Sequence, residues 1–409
     1  MTEESDSSGA PSRDAVVPLR HQIPVYSAAL FSNSLTDLIP VLLPLWLVSL
    51  KASPLEIGIV IGARYVGPLL FSIHGGAMMD RIGTRRVMMF FAAISAAVPL
   101  IYPVAPYVPA VLAIQLVSGL ADQLGWVGAQ TLTGQVLHGN PTYTGRLVVA
   151  TRVGTWLGPP LAGLALVEFG FVGGFVVMAL WSLGTLLSVW AIPASAVPPP
   201  TEPSGTILKA AVPRLSDYIE ALRLFTLPMI AVLLAISAVR QGGQAMQNAF
   251  YAVYLDGIGL SGEFIGYLIA MNGVLGVFAF LTGWLVRRFG EYGMMVLTSV
   301  LSILSIAVIP MLTDLTSLFA ASGIRGLALA ISVVIIVSLI ARSVGHTQQG
   351  KAMGLRMTCH QAVNVVTPVI MGAIVEWAGL DIAFYLVGGA MLALNLWLGW
   401  IGRKAAVPE

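Results

Sequence analysis

Charged residues are scarce in this sequence. Lys, Arg, Asp and Glu make up 10% of its 409 residues, whereas about 25% is usual for soluble domains. Apolar residues make up 57%, and the mean hydropathy is +0.87. The 21 basic and 19 acidic residues form no Lys/Arg cluster, so nucleic acid is excluded as an expected partner. This composition predicts an integral membrane protein.

Cysteine and histidine are also rare. The single cysteine, Cys359, excludes an intramolecular disulfide, and five scattered histidines offer no zinc cluster. We therefore predict no metal site and no cofactor. Residues 1–22 are polar, and the first apolar run is too long for a signal-peptide core, so we expect this run to remain as a membrane anchor.

Twelve apolar runs are long enough to cross a bilayer as helices, since a crossing needs roughly 20 residues. The predicted fold class is thus an all-α integral membrane protein. The spans are 25–50, 55–79, 87–105, 108–131, 147–168, 172–193, 228–255, 263–286, 293–311, 317–341, 357–377 and 382–401.

A polar stretch divides the spans into two groups of six. The predicted organisation is an N-terminal tail (1–22), a six-helix half (23–193), a linker (194–227), a second six-helix half (228–401) and a C-terminal tail (402–409). In the linker, Leu215–Phe225 has the spacing of an amphipathic helix that lies on the membrane surface, although a solvated linker helix fits equally well.

The basic residues are distributed unevenly between the two sides. Sixteen of the 21 lie in the tails, the linker and the even-numbered connections, and only Lys51 lies in an odd-numbered connection. The positive-inside rule therefore predicts cytoplasmic termini in a cell (inner) membrane.

The two halves resemble each other in sequence. A shift of 207 residues aligns Gly83 with Gly290, and a shift of 209 aligns Pro159 with Pro368. Two six-helix repeats are typical of a transporter that rocks one half against the other around a midplane site, although a purely structural duplication is the alternative.

The segment Gly76–Arg86 reads GAMMDRIGTRR and resembles the GxxxDRxGxRR signature of the major facilitator superfamily. The resemblance implies twelve helices in two pseudo-symmetric six-helix halves. It also implies a cytoplasmic latch in which Asp80 faces the second half near Arg356. The other gating residues predicted here are Gly76, Arg81, Gly83 and Arg85. The plain alternative is a basic turn that only sets topology.

Span five contains GTWLGPPLAG, which resembles the GxxxGPxxGG signature of proton-coupled exporters in that superfamily. The match covers Gly154, Gly158, Pro159 and Gly163, which we predict to act in gating, and departs only at Ala162. It favours export over a merely structural interface between small residues. Span four carries Gln115 where such exporters often have arginine, so their proton route is not carried over whole.

Six ionisable residues lie well inside the spans, where a charge costs about 2.5–3.5 kcal/mol even on a lenient scale. They are Asp37, Arg64, Asp122, Arg152, Arg240 and Arg325. We predict that Asp37, Asp122 and Arg64 couple transport to protons, with Asp37 facing Arg64 and Asp122 facing Arg325 as candidate pairs.

The predicted substrate is small and amphipathic and carries an anionic group, because four arginines outnumber two aspartates within the spans. The predicted substrate-binding residues come from spans four, five, seven, ten and eleven: Arg240, Gln244, Asn248, Tyr251, Arg325, Trp126, Trp156, Gln361 and Asn364.

The remaining expectations concern partners and rival functions. Expected partners are a small-molecule substrate, protons and the lipid bilayer, and we expect a monomer. The sequence shows no Ser/His/Asp or metal constellation within the spans, so we do not predict an enzyme. The alternatives are a proton-coupled importer of a small metabolite, an exporter of lipophilic cations anchored by Asp37 and Asp122, and a membrane receptor or lipid-organising protein.

Overall fold

The computed structural model describes residues 17–71, 78, 79, 81–137, 141–197, 199, 222–344 and 349–406, which contain helices and turns and no strand. The first half of the chain forms α1 (Leu19–Ser49), α2 (Pro54–Phe71), α3 (Thr84–Ala97), α4 (Val108–Val136), α5 (141–169) and α6 (171–191). The second half forms α7 (Pro228–Gly257), α8 (Gly262–Phe289), α9 (Glu291–Ala307), α10 (Leu315–Ser343), α11 (Gln349–Ala378) and α12 (Leu380–Ala406).

These elements agree with the predicted twelve crossings. In the described part of the chain, nine helices are long and apolar enough to span a membrane. One of the nine contains both α5 and α6, which meet at Gly170, where φ is +65°. The shorter α3 and α9 have 14 and 17 residues. The all-helical fold class predicted from the sequence is thus confirmed, and the arrangement is consistent with twelve helices.

Several helix bounds differ from the sequence prediction. The helix α11 begins at Gln349 rather than at residue 357, because polar residues near its start remain helical. The helices α3 and α9 end early, and 3₁₀ turns at Val98–Leu100 and Ile309–Met311 follow them. Most of the predicted linker helix lies outside the described residues, but its last residues enter a 3₁₀ turn at Arg223–Thr226.

Local sequence explains several helix starts. Ser53 and Glu56 form a reciprocal capping box at the start of α2, and Asp314 accepts the amide of Ser317 at the start of α10. Gly83 and Gly290 precede α3 and α9 with φ of 101° and 81°. These two glycines align in the sequence repeat, and both adopt the left-handed backbone that glycine tolerates best.

The two halves meet through two similar helix contacts. We call the side on which α1 begins and α12 ends the terminal face, and the other side the opposite face. Toward the opposite face, a Cβ atom on Gly58 of α2 would overlap the backbone of α11 at Pro368, and one on Gly266 of α8 would overlap the backbone of α5 at Pro159. Small residues thus let α2 approach α11 and let α5 approach α8, in a pseudo-symmetric arrangement.

Within each half, a second pair of glycines brings helices together. A Cβ atom on Gly119 of α4 would overlap the carbonyl of Arg64 in α2, and one on Gly326 of α10 would overlap the carbonyl of Asn272 in α8. These glycines are 207 positions apart, which is one of the shifts that align the repeat. The repeat therefore preserves backbone contacts in both halves.

Candidate functional site

A buried ion pair joins α2 to α4 in the first half. Arg64 lies where α2 breaks between Pro54–Ala63 and Val66–Phe71, and its guanidinium pairs with Asp122 of α4. The same guanidinium donates to Gln115 Oε1 at 3.3 Å and Ser118 Oγ at 3.0 Å. Ser95 of α3 donates to the second carboxylate oxygen of Asp122 at 2.5 Å. Arg64 and Asp122 are each 5% exposed, so this charged pair is enclosed by polar partners.

This geometry corrects both candidate ion pairs. Arg64 pairs with Asp122 and not with Asp37, and Asp122 therefore does not pair with Arg325. Counting residues from the helix ends predicts similar depths in the membrane for Arg64 and Asp37. Such a count does not show which helix faces which. The close approach of α2 and α4 at Gly119 decides the pairing.

Asp37 of α1 lies against α5 instead. Thr155 of α5 lies near its carboxyl, and the Arg152 guanidinium of the same helix is close enough for its charge to act on that carboxyl. The Thr155 hydroxyl itself donates to the Thr151 carbonyl at 3.3 Å. Asp37 is half-buried. Among the described residues it forms no ion pair within 4.0 Å. It is thus an acid in a polar niche that faces one basic group.

The described part of the second half contains buried arginines that have no carboxylate partner among the described residues. Arg325 of α10 donates to the Gly243 carbonyl at 3.2 Å and to Gln244 Oε1 at 3.1 Å. Arg240 of α7 and Arg325 are 3% and 2% exposed. The charge of Arg240 acts on Arg325, and the charge of Arg356 in α11 acts on Arg240. In the described part of the chain, none of these three arginines forms an ion pair.

A chain of amides connects this arginine group to the first half. Gln244 donates to Asn248 Oδ1 at 3.0 Å, and Asn248 donates to the Tyr65 hydroxyl of α2 at 3.2 Å. Within α7, Gln247–Tyr251 forms a π-helical turn. Such turns are frequent at functional sites. The predicted polar stripe of α7 therefore lies at the interface between the halves.

The polar face of α11 continues the same region. Gln241 donates to Asn364 Oδ1 at 3.1 Å, Asn364 donates to Gln361 at 3.3 Å, and Gln361 reaches Gln123 of α4 at 3.4 Å. Nearby, the His360 ring lies 2.7 Å from the Ser237 hydroxyl. Gln361 and Asn364 thus link α11 to α4 and to Gln241 of α7, the residue that follows Arg240.

The aromatic residues predicted to bind substrate are placed in three different regions. Tyr251 is buried, with its hydroxyl 3.0 Å from the Ser322 hydroxyl. Trp126 packs against the apolar cluster that α1 and α4 share near the terminal face. Trp156 is 38% exposed and lines a lateral groove between α5 and α8. Only Tyr251 lies beside the arginine group.

The first gating motif lies partly outside the described residues, since Gly76 and Asp80 are not among them. Gly83 forms the turn before α3, and Arg85 donates to the Trp190 carbonyl at 2.9 Å and the Val189 carbonyl at 3.3 Å, which caps the end of α6. Arg81 is half-buried and has an interaction partner. Arg356 lies near Arg240, so its charge belongs to the arginine group described above.

The second motif sits between α1 and α8. Cβ atoms on Gly154 and Gly158 would overlap Ser34 and Leu38 of α1. Pro159, which follows Gly158 directly, and Gly163, just over one turn later, contact the backbone of α8 at Gly266 and Gly262. One stretch of α5 therefore contacts the Asp37 helix on one side and the other half of the protein on the other side.

The sequence analysis did not identify several polar partners. Ser95, Tyr65, Thr155 and Ser322 each contact a predicted residue, but single Ser, Thr and Tyr residues in apolar helices give no distinguishing pattern. Only Gln123 could have been identified from the sequence, because it directly follows the predicted site residue Asp122. Among the described residues, no group of three His, Cys, Asp or Glu side chains is placed to hold a metal ion.

Comparison with solved structures identifies similar folds. One is a nucleoside transporter, NupG, with a TM-score of 0.70 and 15% identity over 94% of this chain and 98% of that chain. Another is a peptide transporter, POT, solved in complex with sulfate, with a TM-score of 0.75 and 16% identity over 94% of both chains. Comparison with curated proteins finds no matching sequence.

The family comparison covers nearly the whole chain. The sequence model described as Major Facilitator Superfamily matches residues 25–312 and 233–409. Together with the fold, this match indicates secondary transport rather than enzymatic catalysis. The chain belongs to the major facilitator superfamily and is a multi-pass membrane transporter.

Proposed function

We propose that this transporter exports a small amphipathic molecule that carries an anionic group, by proton-coupled alternating access. One observation carries the substrate class. The described part of the second half has two almost fully buried arginines, Arg240 and Arg325, and no carboxylate within ion-pair distance of either.

The physical reason is the cost of an uncompensated charge. A buried cation is stabilised by an opposite charge or by hydrogen bonds, and here carbonyl and amide oxygens supply only part of the compensation for Arg325. Guanidinium groups bind carboxylate or phosphate with two parallel hydrogen bonds. A bound anion would supply both the opposite charge and the hydrogen-bond acceptors that these arginines lack.

Asp122 supports this assignment indirectly. Because Arg64 holds its carboxylate, Asp122 is not free to anchor a cationic substrate. A lipophilic cation would then have only Asp37 as an intramembrane acid, and Arg152 acts on Asp37. The same argument leaves Asp37 as the proposed proton carrier, with Arg64 and Asp122 as a fixed ion pair.

The contacts of α5 favour coupling at Asp37. The motif that contains Gly154 and Pro159 contacts both the Asp37 helix and α8 of the other half. A movement of the halves about this stretch would change the surroundings of Asp37, and a change in surroundings alters how readily a carboxyl holds a proton. The resemblance of this motif to exporters supports the proposed direction.

We also propose that the terminal face is cytoplasmic and that the protein acts as a monomer in the cell membrane. Arg85, Arg288 and Arg342 lie near this face, which the positive-inside rule favours for the cytoplasm. The close contacts of α2 with α11 and of α5 with α8 lie toward the opposite face. This conformation would then be closed on the outside.

The substrate class is tested by binding of matched anionic, neutral and cationic amphiphiles to purified protein. We expect a preference for anions, and a loss of anion affinity by about tenfold to a hundredfold in Arg240→Gln and in Arg325→Gln. Arg342→Gln is the control, because Arg342 pairs with Glu291 and is 60% exposed at its side chain. A preference for cations, or anion binding unchanged in both variants, would contradict the proposal.

Coupling and direction are tested in proteoliposomes with an imposed pH gradient. We expect protons and substrate to move in opposite directions. Asp37→Asn should abolish gradient-driven accumulation and preserve substrate exchange without a gradient. Glu168→Gln is the control, because Glu168 is an exposed acid near the end of α5. Movement of substrate in the same direction as protons would indicate an importer. Retained gradient-driven accumulation of substrate in Asp37→Asn would exclude Asp37 as the proton carrier.

A further inference from the structure

The contact of α2 with α11 is a series of close approaches that runs toward the opposite face. A Cβ atom on Gly58 of α2 would lie 2.2 Å from the Pro368 carbonyl oxygen of α11. Nearer the opposite face, a Cβ atom on Gly372 of α11 would lie 2.4 Å from the Pro54 carbonyl oxygen of α2. Glu376 follows Gly372 by about one helical turn, so it stands at the end of this series, where α2 begins.

At this point a side chain of the second half completes the cap of a helix in the first half. The backbone amide of Leu55 donates to Glu376 Oε2 at 3.2 Å. The first amides of a helix have no acceptor inside that helix. In α2 two of them are satisfied locally, because the Ser53 amide donates to Glu56 Oε2 at 2.7 Å and the Glu56 amide donates to Ser53 Oγ at 3.3 Å. Pro54 has no amide hydrogen, so Leu55 is the donor whose acceptor comes from the other half.

The charge of the Glu376 carboxylate also suits this position. The N-terminus of a helix carries a partial positive charge, so a carboxylate beside it is stabilising. Among the described residues, Glu376 forms no ion pair within 4.0 Å, and no described cation therefore competes with the Leu55 amide for its carboxylate. Because Leu55 and Glu376 belong to different halves, this hydrogen bond must break when the halves separate at the opposite face.

The pseudo-symmetric contact of α5 with α8 has a different residue at the equivalent place. Gly163 of α5 meets the backbone of α8 in the same way that Gly372 of α11 meets the backbone of α2. Four residues after Gly163 the chain has Val167, whereas four residues after Gly372 it has Glu376. A valine side chain cannot accept a hydrogen bond. The contact of α2 with α11 therefore adds a charged hydrogen bond to the backbone packing that the two contacts share.

We propose that Glu376 is an opposite-face latch, whose carboxylate holds the start of α2 against α11 and so favours the conformation that is closed on the opposite face. The latch acts on the Leu55 amide and lies far along α11 from the central arginine group. It therefore sets the balance between the closed and open conformations rather than the affinity of the central site. The inference does not depend on the proposed substrate class or on proton coupling.

The test measures distances between spin labels on the two halves of the full-length protein in nanodiscs. The labels are attached at Val104→Cys and Thr313→Cys, two exposed positions near the opposite face, in a Cys359→Ser background. Double electron–electron resonance then gives the ratio of the closed (shorter) to the open (longer) distance. We expect Glu376→Ala to lower this ratio about threefold to tenfold, through the loss of one exposed charge-assisted hydrogen bond. Glu376→Gln keeps an acceptor but not the charge, so it should lower the ratio less.

Two controls separate a latch from a general loss of structure. Glu168→Ala changes an exposed acid near the opposite-face end of α5 and should leave the ratio unchanged. A label pair within the first half, Ser49→Cys with Val104→Cys, should keep its distance in every variant. An unchanged ratio in Glu376→Ala, an equal loss in Glu168→Ala, a larger loss in Glu376→Gln than in Glu376→Ala, or a changed distance within the first half would each overturn the proposal.

Discussion

Arg64 in the first half and Arg240 in the second half are both buried in membrane-spanning helices, at 5% and 3% exposure, but they have opposite surroundings. Arg64 has the Asp122 carboxylate and two further oxygen acceptors, from Gln115 and Ser118. Arg240 has neighbouring arginines and, among the described residues, no acid within ion-pair distance. Burial by itself therefore does not assign a role to an intramembrane charge. The compensated charge of Arg64 joins two helices, whereas the uncompensated charge of Arg240 is the basis of the proposed anion site.

The backbone contacts, unlike the surroundings of the arginines, are similar in both halves. Gly119 and Gly326 meet the carbonyls of Arg64 and Asn272 in equivalent places, and Gly83 and Gly290 form equivalent turns. The repeat has thus kept its helix contacts while the charged side chains of the two halves have diverged. This divergence is what lets one scaffold carry a structural ion pair on one side and a candidate anion site on the other.

The largest expected effect comes from breaking the buried pair. Asp122→Asn keeps the shape of the side chain but leaves the Arg64 charge uncompensated, which should destabilise the protein by about 3–5 kcal/mol. Thermal and denaturant unfolding of the purified protein measure this change. Glu291→Gln is the matched control, since its pair with Arg342 is exposed and should contribute no more than about 1 kcal/mol. Equal losses in the two variants would refute the distinction between them.

The next largest effect tests the shared backbone contacts. Gly119→Ala and Gly326→Ala should each destabilise the protein by about 1–3 kcal/mol, because the added methyl group meets a backbone carbonyl that has no room to move. Gly134→Ala is the control on α4, where nothing lies within 4 Å and alanine should stabilise the helix by about 0.5–1 kcal/mol. A large loss in only one half would contradict the structural equivalence of the repeats.

A smaller effect of opposite sign is expected at the uncompensated arginine. Arg240→Met removes a buried charge without leaving an acid behind, so stability should stay constant or rise by on the order of 1 kcal/mol. Arg64→Met is the comparison, and it should be strongly destabilising because it strands Asp122. Unfolding of the two variants is measured under the same conditions. A loss in Arg240→Met comparable to that in Arg64→Met would mean that Arg240 is structural.

The smallest effect concerns a charge outside the membrane. The Ser317 amide donates to Asp314 at the start of α10, and this hydrogen bond holds the pKa of Asp314 below its usual value. A lowered pKa stabilises the folded state above the pKa of the unfolded chain, and this contribution is lost as pH falls through the folded value. Unfolding scans at neutral and acidic pH should show a slight, pH-dependent loss in Asp314→Ala. In Asp314→Asn the cap should remain and its pH dependence should disappear.

Much of the fold could be predicted from sequence because its patterns are local. Long apolar runs indicated the spans, and the repeat around Gly83 and Gly290 indicated the two halves. Bounds were less accurate where polar residues continue a helix, as at the start of α11. The composition of the candidate site was predicted in part, since the stripe of Arg240, Gln244 and Asn248 follows helical spacing. The hydrogen-bond partners of the predicted residues were not predicted, because Ser95 and Tyr65 belong to no periodic pattern in the sequence.

The sequence by itself determined that this is a helical membrane protein, with two related halves and more arginines than acids inside its spans. These properties depend on residue type and spacing along the chain. The tertiary structure decided that Asp122 pairs with Arg64, that Asp37 faces Arg152, and that Arg240 and Arg325 have no carboxylate partner among the described residues. The reason is geometric. Helical periodicity defines the faces of each helix, but contacts such as that of Gly119 with Arg64 fix which faces meet, and an ion pair depends on distances between helices that are far apart in the sequence.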